Sequence, residues 1–182
     1  MINIRKILSI KVIAVILFSN ALLFFLINKL NHSISQYSLY FFLNGIYLIF
    51  AATNIRLKTG LFCSFITGLF LDSMFPYSFG LSTVCFIPLH FLLYKNRYKL
   101  HRDQNWHITL LAFAINLLLI AILFFSNSNG HLFELPYFIH CTTDLVISQI
   151  LLILIAPWFF DFQRSTMQWV GVDLSIDDLS NT

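Results

Sequence analysis

Charge is the scarcest commodity in this sequence. Asp, Glu, Lys and Arg make up 10% of its 182 residues, whereas a soluble globular chain carries about 25%. With 58% of residues hydrophobic and a mean hydropathy of +0.80, a soluble single domain is excluded, because its surface could not be made polar. What remains is an integral membrane protein whose apolar surface faces lipid. Its 21 phenylalanines suit that surface. Cysteine is also rare: Cys63, Cys85 and Cys141 all fall in apolar runs, outside any CxxC spacing, which excludes a disulfide framework and marks them as packing residues. Nucleotide-binding loops of the Walker or GxGxxG type, a GxSxG nucleophile context and HExxH are all absent, so no hydrolytic or cofactor chemistry is indicated. His131, Glu134, His140, Cys141 and Asp144 mix metal-ligand types, but their spacing matches no zinc motif.

What is present is a succession of apolar runs, each long enough to cross roughly 30 Å of hydrocarbon. Six are expected to span: about 12–30, 37–54, 59–75, 78–94, 107–126 and 138–160. The fold class is therefore an all-α bundle of six transmembrane helices over residues 1–160, followed by an acidic tail over 161–182. The basic N-terminus MINIRKILSIK reads as the flank of an uncleaved first span, since no clear cleavage site follows. Spans three and four are separated by little more than Pro76 and Tyr77. One helix over 59–94 would be about 54 Å long at 1.5 Å per residue, so a tight hairpin is expected instead.

The basic residues set the orientation. Arg5, Lys6, Lys11, Arg56, Lys58, Lys95, Arg97, Lys99, Arg102 and Arg164 fall on one side of a six-span arrangement, and Lys29 alone on the other. Both termini are expected in the cytoplasm. Because these charges sit in short loops, they report topology and argue for a lipid environment, with no nucleic-acid partner. The net charge of +3 hides a tail that carries −3, with Asp161, Asp173, Asp177 and Asp178 against Arg164.

The residues that carry most meaning lie in span three. Gly60, Ser64, Gly68 and Asp72 follow each other at four-residue steps and share one helix face. Such a small-residue stripe lets a neighbouring helix approach closely, so this face is expected to pack on protein. Asp72, one turn from the end of its span, is expected to fix the hairpin by accepting hydrogen bonds from backbone N–H groups near Ser78 to Gly80; a ligand or proton site is the sharper alternative. Asn20, Asn44, Asn116, His140, Asp144 and Gln149 are further polar residues inside spans, and His140 and Asp144 share a face. They suggest a polar bundle interior that serves as interhelical glue, with a small-molecule cavity as the alternative. His90 reads as a packing histidine; Trp169, Val170 and Val172 are candidates for the membrane interface, with a plain disordered tail as the equal alternative.

Residues 60–94, GLFCSFITGLFLDSMFPYSFGLSTVCFIPLHFLLY, resemble the rod shape-determining protein MreD family. The resemblance rests on Gly60, Gly68, Asp72, Pro76 and Gly80, and on Ala156–Pro157 in LLILIAPWFF near the end of the last span. It implies a non-enzymatic scaffold of the cell-wall elongation machinery in the cell inner membrane, without cofactor or metal. It also implies that the scaffold binds a bitopic MreC-like partner linking the MreB filament to glycan synthesis. Gly68, Asp72 and Gly80 would then shape the hairpin that the partner recognises. The family is similar in fold to the substrate-binding S-components of energy-coupling-factor vitamin transporters, and such a subunit is the rival reading. Against it, span one lacks an AxxxA pattern, since Ala14 and Ala21 are seven residues apart.

Overall fold

The computed structural model describes residues 2–74, 80–100, 105–127 and 135–172. Among these the chain is all-helical: α1 (Ile2–Ile34), a 3-10 turn (Ser35–Tyr37), α2 (Ile46–Asn54), α3 (Leu57–Met74), α4 (Leu81–Leu100), α5 (Asn105–Asn127) and α6 (Leu135–Trp169). Three stretches are long and apolar enough to cross a membrane: Ser9–Tyr37, His107–Ser126 and Leu135–Trp169. The helix surfaces bear large exposed apolar side chains, among them Phe18, Phe25, Val84, Phe125 and Trp158. A soluble protein would bury such residues, whereas acyl chains accept them.

The centre of the bundle is α2. Every residue from Ile46 to Thr53 is buried, and the helix touches α3, α4, α5 and α6. A helix that is apolar all round belongs in an interior, and this one has the bundle as its surroundings. Helices α3 and α4 form a hairpin, as do α5 and α6, and α1 closes the bundle against α3 and α6.

Several helices run past their expected extents, α1 from Ile2 to Ile34 and α4 to Leu100 among them, and two differences bear on the site. The run 37–54 is helical only in its second half; residues 39–43 carry no helix and lead through a turn at Asn44–Gly45 into α2. The physical reason is that polar side chains of neighbouring helices occupy its backbone groups, as described below. The last helix does not stop at 160 but continues to Trp169, burying Gln163 and Met167 against the bundle. It ends in a Schellman turn: the Val172 N–H reaches the Met167 carbonyl at 2.9 Å, and Gly171 takes the positive φ of 75° that such an ending needs. Val172 is buried there, Trp169 is exposed, and the acidic residues from 173 onwards lie outside the described residues, as do Pro76, His131 and Glu134.

Lys11 Nζ donates to the Val170 carbonyl at 3.3 Å, which brings the start of α1 to the end of α6. A small cleft lined by Phe50, Asn54, Ile108 and Arg164 brings the end of α2, the start of α5 and the end of α6 together. The helix ends that bear basic residues thus gather at one end of the bundle.

Candidate functional site

Two sets of polar side chains organise the interior. The first is the α3–α4 hairpin. Asp72 is 3% exposed, and both its oxygens are used. Oδ1 accepts the Ser82 N–H at 2.8 Å, while Oδ2 accepts the Thr83 N–H at 3.1 Å and the Thr83 hydroxyl at 2.8 Å. Ser82 and Thr83 are the second and third residues of α4, whose N–H groups have no partner within their own helix. Gly80, with φ of 97°, turns the chain into α4 but has no side chain to cap it. Asp72 supplies from the adjacent helix what an N-cap serine or aspartate supplies locally, and its charge faces the positive end of the α4 dipole. The donors lie two to three residues later than the Ser78–Gly80 expectation because α4 begins at Leu81.

The rest of the stripe faces α4. A Cβ at Gly68 would stand 2.8 Å from the Thr83 Cα, so at this level the two backbones are in contact. Ser64 Oγ lies 2.7 Å from His90 Nδ1, and a Cβ at Gly60 would meet the His90 ring at 2.7 Å and the Ala51 carbonyl at 2.9 Å. His90 is fully buried, and its Nε2 has no partner among the described residues. Pro76, expected at the turn, lies outside the described residues.

The second set surrounds the extended segment. Non-helical backbone is tolerated at membrane depth only where protein satisfies it. Here the satisfaction comes from four side chains on three helices. Asn31 of α1 brackets Phe41, accepting its N–H at 2.8 Å and donating to its carbonyl at 3.0 Å. Asp144 Oδ1 accepts the Tyr40 N–H at 3.1 Å. Ser148 Oγ accepts the Phe42 N–H at 2.9 Å. Asn116 of α5 donates to the Phe42 carbonyl at 2.9 Å and accepts the Gly45 N–H at 3.0 Å. Gly45 is required where it stands, because a Cβ there would lie 2.7 Å from the Asn116 nitrogen.

A third contact ties the middle of the bundle. Asn20 donates to the Tyr47 carbonyl at 3.2 Å and to Thr67 Oγ1 at 3.1 Å, and it accepts from Gln163 at 3.2 Å, so one side chain joins α1, α2, α3 and α6. Of the remaining expected polar residues, Asn44 is buried at the turn before α2. His140 is largely exposed, with Nδ1 3.7 Å from Asp144 Oδ2. Gln149 is buried with neither amide atom partnered among the described residues. Asn31, Ser148, Gln163 and Thr83 were not singled out from the sequence. Ser148 could have been: it continues the four-residue spacing of His140 and Asp144. Among the described residues, no group of His, Cys, Asp and Glu could hold a metal ion.

The family model described as rod shape-determining protein MreD matches residues 4–166, nearly the whole helical body. The chain belongs to the MreD family. No curated protein and no solved structure matches it. Membership gives this chain a role in rod shape determination. The matched range includes both polar sets, the Asp72 hairpin and the pinned segment.

Proposed function

We propose that this MreD family member is a non-enzymatic scaffold of the cell-wall elongation machinery, spanning the inner membrane six times and holding cell shape by binding a bitopic MreC-like partner. The observation that carries the reading, beyond family membership, is how the buried polar groups are used. Asp72 caps a helix, Asn31, Asn116, Asp144 and Ser148 hold an extended backbone, and Asn20 joins four helices. These groups serve shape, as a docking element needs and a reactive centre does not. Helix lengths are compatible with the six crossings. α3 and α4 have 18 and 20 residues, about 27 and 30 Å at 1.5 Å each. Extended residues 39–43 add roughly 16 Å at about 3.3 Å each to the roughly 14 Å of α2, together one membrane thickness.

The α3–α4 hairpin is the proposed recognition element. Its inner face is locked by Gly68 and Asp72, while Phe62, Phe65, Val84 and Phe91 are exposed on its outer surface. The test is co-purification of a tagged MreC-like partner from the same cells, together with cell shape in a strain that depends on this chain. The double variant Gly68→Leu with Asp72→Ala is expected to lose both. Retention of partner and rod shape at normal membrane levels would overturn the reading. Mass spectrometry of the purified protein addresses the transporter-subunit rival, which requires a retained vitamin.

A further inference from the structure

Between the extended segment, the end of α5 and the start of α6 lies a cavity of about 300 Å³, which the scaffold reading does not use. Its walls include Tyr40, Phe42, Phe124 and Tyr137, and His140 and Asp144 also line it. The volume is at the lower end of the roughly 300–1,000 Å³ that small-molecule sites occupy, so an occupant would be small. The lining combines four aromatic rings with a carboxylate whose side chain is 9% exposed. One Asp144 oxygen holds the Tyr40 N–H at 3.1 Å. The other faces His140 Nδ1 at 3.7 Å, too long for a hydrogen bond, and so keeps acceptor capacity toward the cavity. Asp72 uses both its oxygens in capping α4, whereas Asp144 holds the extended segment with one oxygen only, which leaves its charge available for a second role. Aromatic rings beside a carboxylate are a lining that suits an ammonium group, which ring quadrupoles and direct charge both attract.

We propose that this cavity binds a small organic ammonium cation, with Asp144 as counter-charge and the rings of Tyr40, Phe42, Phe124 and Tyr137 as its walls. The ammonium is either a free small molecule or the headgroup of phosphatidylethanolamine. The proposal is independent of partner binding, and its failure leaves the scaffold reading untouched.

The experiment is calorimetric titration of the purified full chain, in nanodiscs of phosphatidylglycerol, with choline, tetramethylammonium and benzylamine as probes. The neutral isostere of choline, 3,3-dimethylbutan-1-ol, is the control. Saturable binding is expected for at least one cation and not for the isostere. Asp144→Asn keeps an acceptor for the Tyr40 N–H while removing the charge, so it is expected to melt like the parent chain and to weaken cation binding by about tenfold or more. Phe124→Ala is expected to weaken it several-fold without touching Asp144. Nanodiscs containing phosphatidylethanolamine compete if the headgroup is the natural occupant and leave the titration unchanged if a free molecule is. The proposal is overturned by no saturable binding of any probe. It is also overturned by equal binding of the neutral isostere, or by unchanged affinity in both variants.

Discussion

At the scale of single residues, the chain's few buried polar groups are costly unless bonded, and their bonds can be tested one at a time. Asp72 accepts three hydrogen bonds from the first turn of α4. Charge-assisted bonds contribute about 1.5–3 kcal/mol each at most, and their losses are not additive. Asp72→Ala strands two N–H groups and is expected to destabilise the purified protein by about 2–4 kcal/mol. Asp72→Asn keeps one acceptor oxygen and is expected to cost about half as much. Thermal unfolding in detergent gives the comparison, and equal melting of the two variants would remove the capping role. Asn116 offers a second case. Asn116→Leu removes the bonds that Asn116 makes to the Gly45 N–H and the Phe42 carbonyl, with an expected loss of about 2–4 kcal/mol. Gln149, buried without a partner among the described residues, is the contrasting control, because replacing it by Leu breaks none of the bonds described above.

Elements behave according to what surrounds them, and this decides how much the sequence could reveal. The long apolar helices were legible from length and composition alone, because crossing hydrocarbon demands both. The Gly60–Ser64–Gly68–Asp72 face was legible because a helix repeats every 3.6 residues and small residues at that period have few other uses. The broken second run was not legible. YSLYFFLNGIYLIF is as apolar as its neighbours, and what stops its first half from being helical is a set of side chains from distant helices, Asn31, Asn116, Asp144 and Ser148. Local composition cannot announce a long-range satisfaction. The same polar residues were legible as polar and intramembrane; their common target was not. The extent of α6 past 160 was hidden because Asp161, Gln163 and Arg164 read as the start of an aqueous tail, although Gln163 turns inward to Asn20. Two expectations belong at this scale. The amides of Tyr40, Phe41, Phe42 and Gly45, although outside any helix, are expected to exchange slowly with deuterium, and those of Tyr40 and Phe42 to exchange faster in Asp144→Ala and Ser148→Ala. Rapid exchange in the parent chain would show that the pinning is too weak to order the segment. Gly68→Ala brings a methyl within 2.8 Å of the Thr83 Cα and must part the α3–α4 backbones, for an expected loss of about 1–3 kcal/mol.

For the whole molecule, the question is how the bundle sits in the bilayer. The contact of Lys11 with the Val170 carbonyl puts the two ends of the helical body side by side, as the proposed six crossings need. The cleft of Asn54, Ile108 and Arg164 adds the α2 and α5 ends to the same level. Arg56, Lys58 and the basic end of α4 follow by chain connection, so the basic residues gather where α1 starts, while Lys29 lies toward the opposite end of α1. A bundle with one basic end inserts with that end in the cytoplasm, because translocating each Lys or Arg is opposed. Reporter fusions at both termini are therefore expected to be active only as cytoplasmic reporters, and a cysteine introduced at Asn96 to react from the inside while one at Ser33 reacts from the outside. A more demanding form of the prediction uses charge itself. Replacing Lys11, Arg56 and Lys58 by Gln, with three Lys placed at Ser33, Ser35 and Gln36, reverses much of the bias and is expected to lower the fraction of correctly inserted protein. An unaltered orientation would mean that helix packing around α2, rather than loop charge, fixes the topology. An externally placed terminus in the parent chain would invert the whole bundle, with the basic end outside and the Asp144 cavity, at the start of α6, toward the cytoplasm.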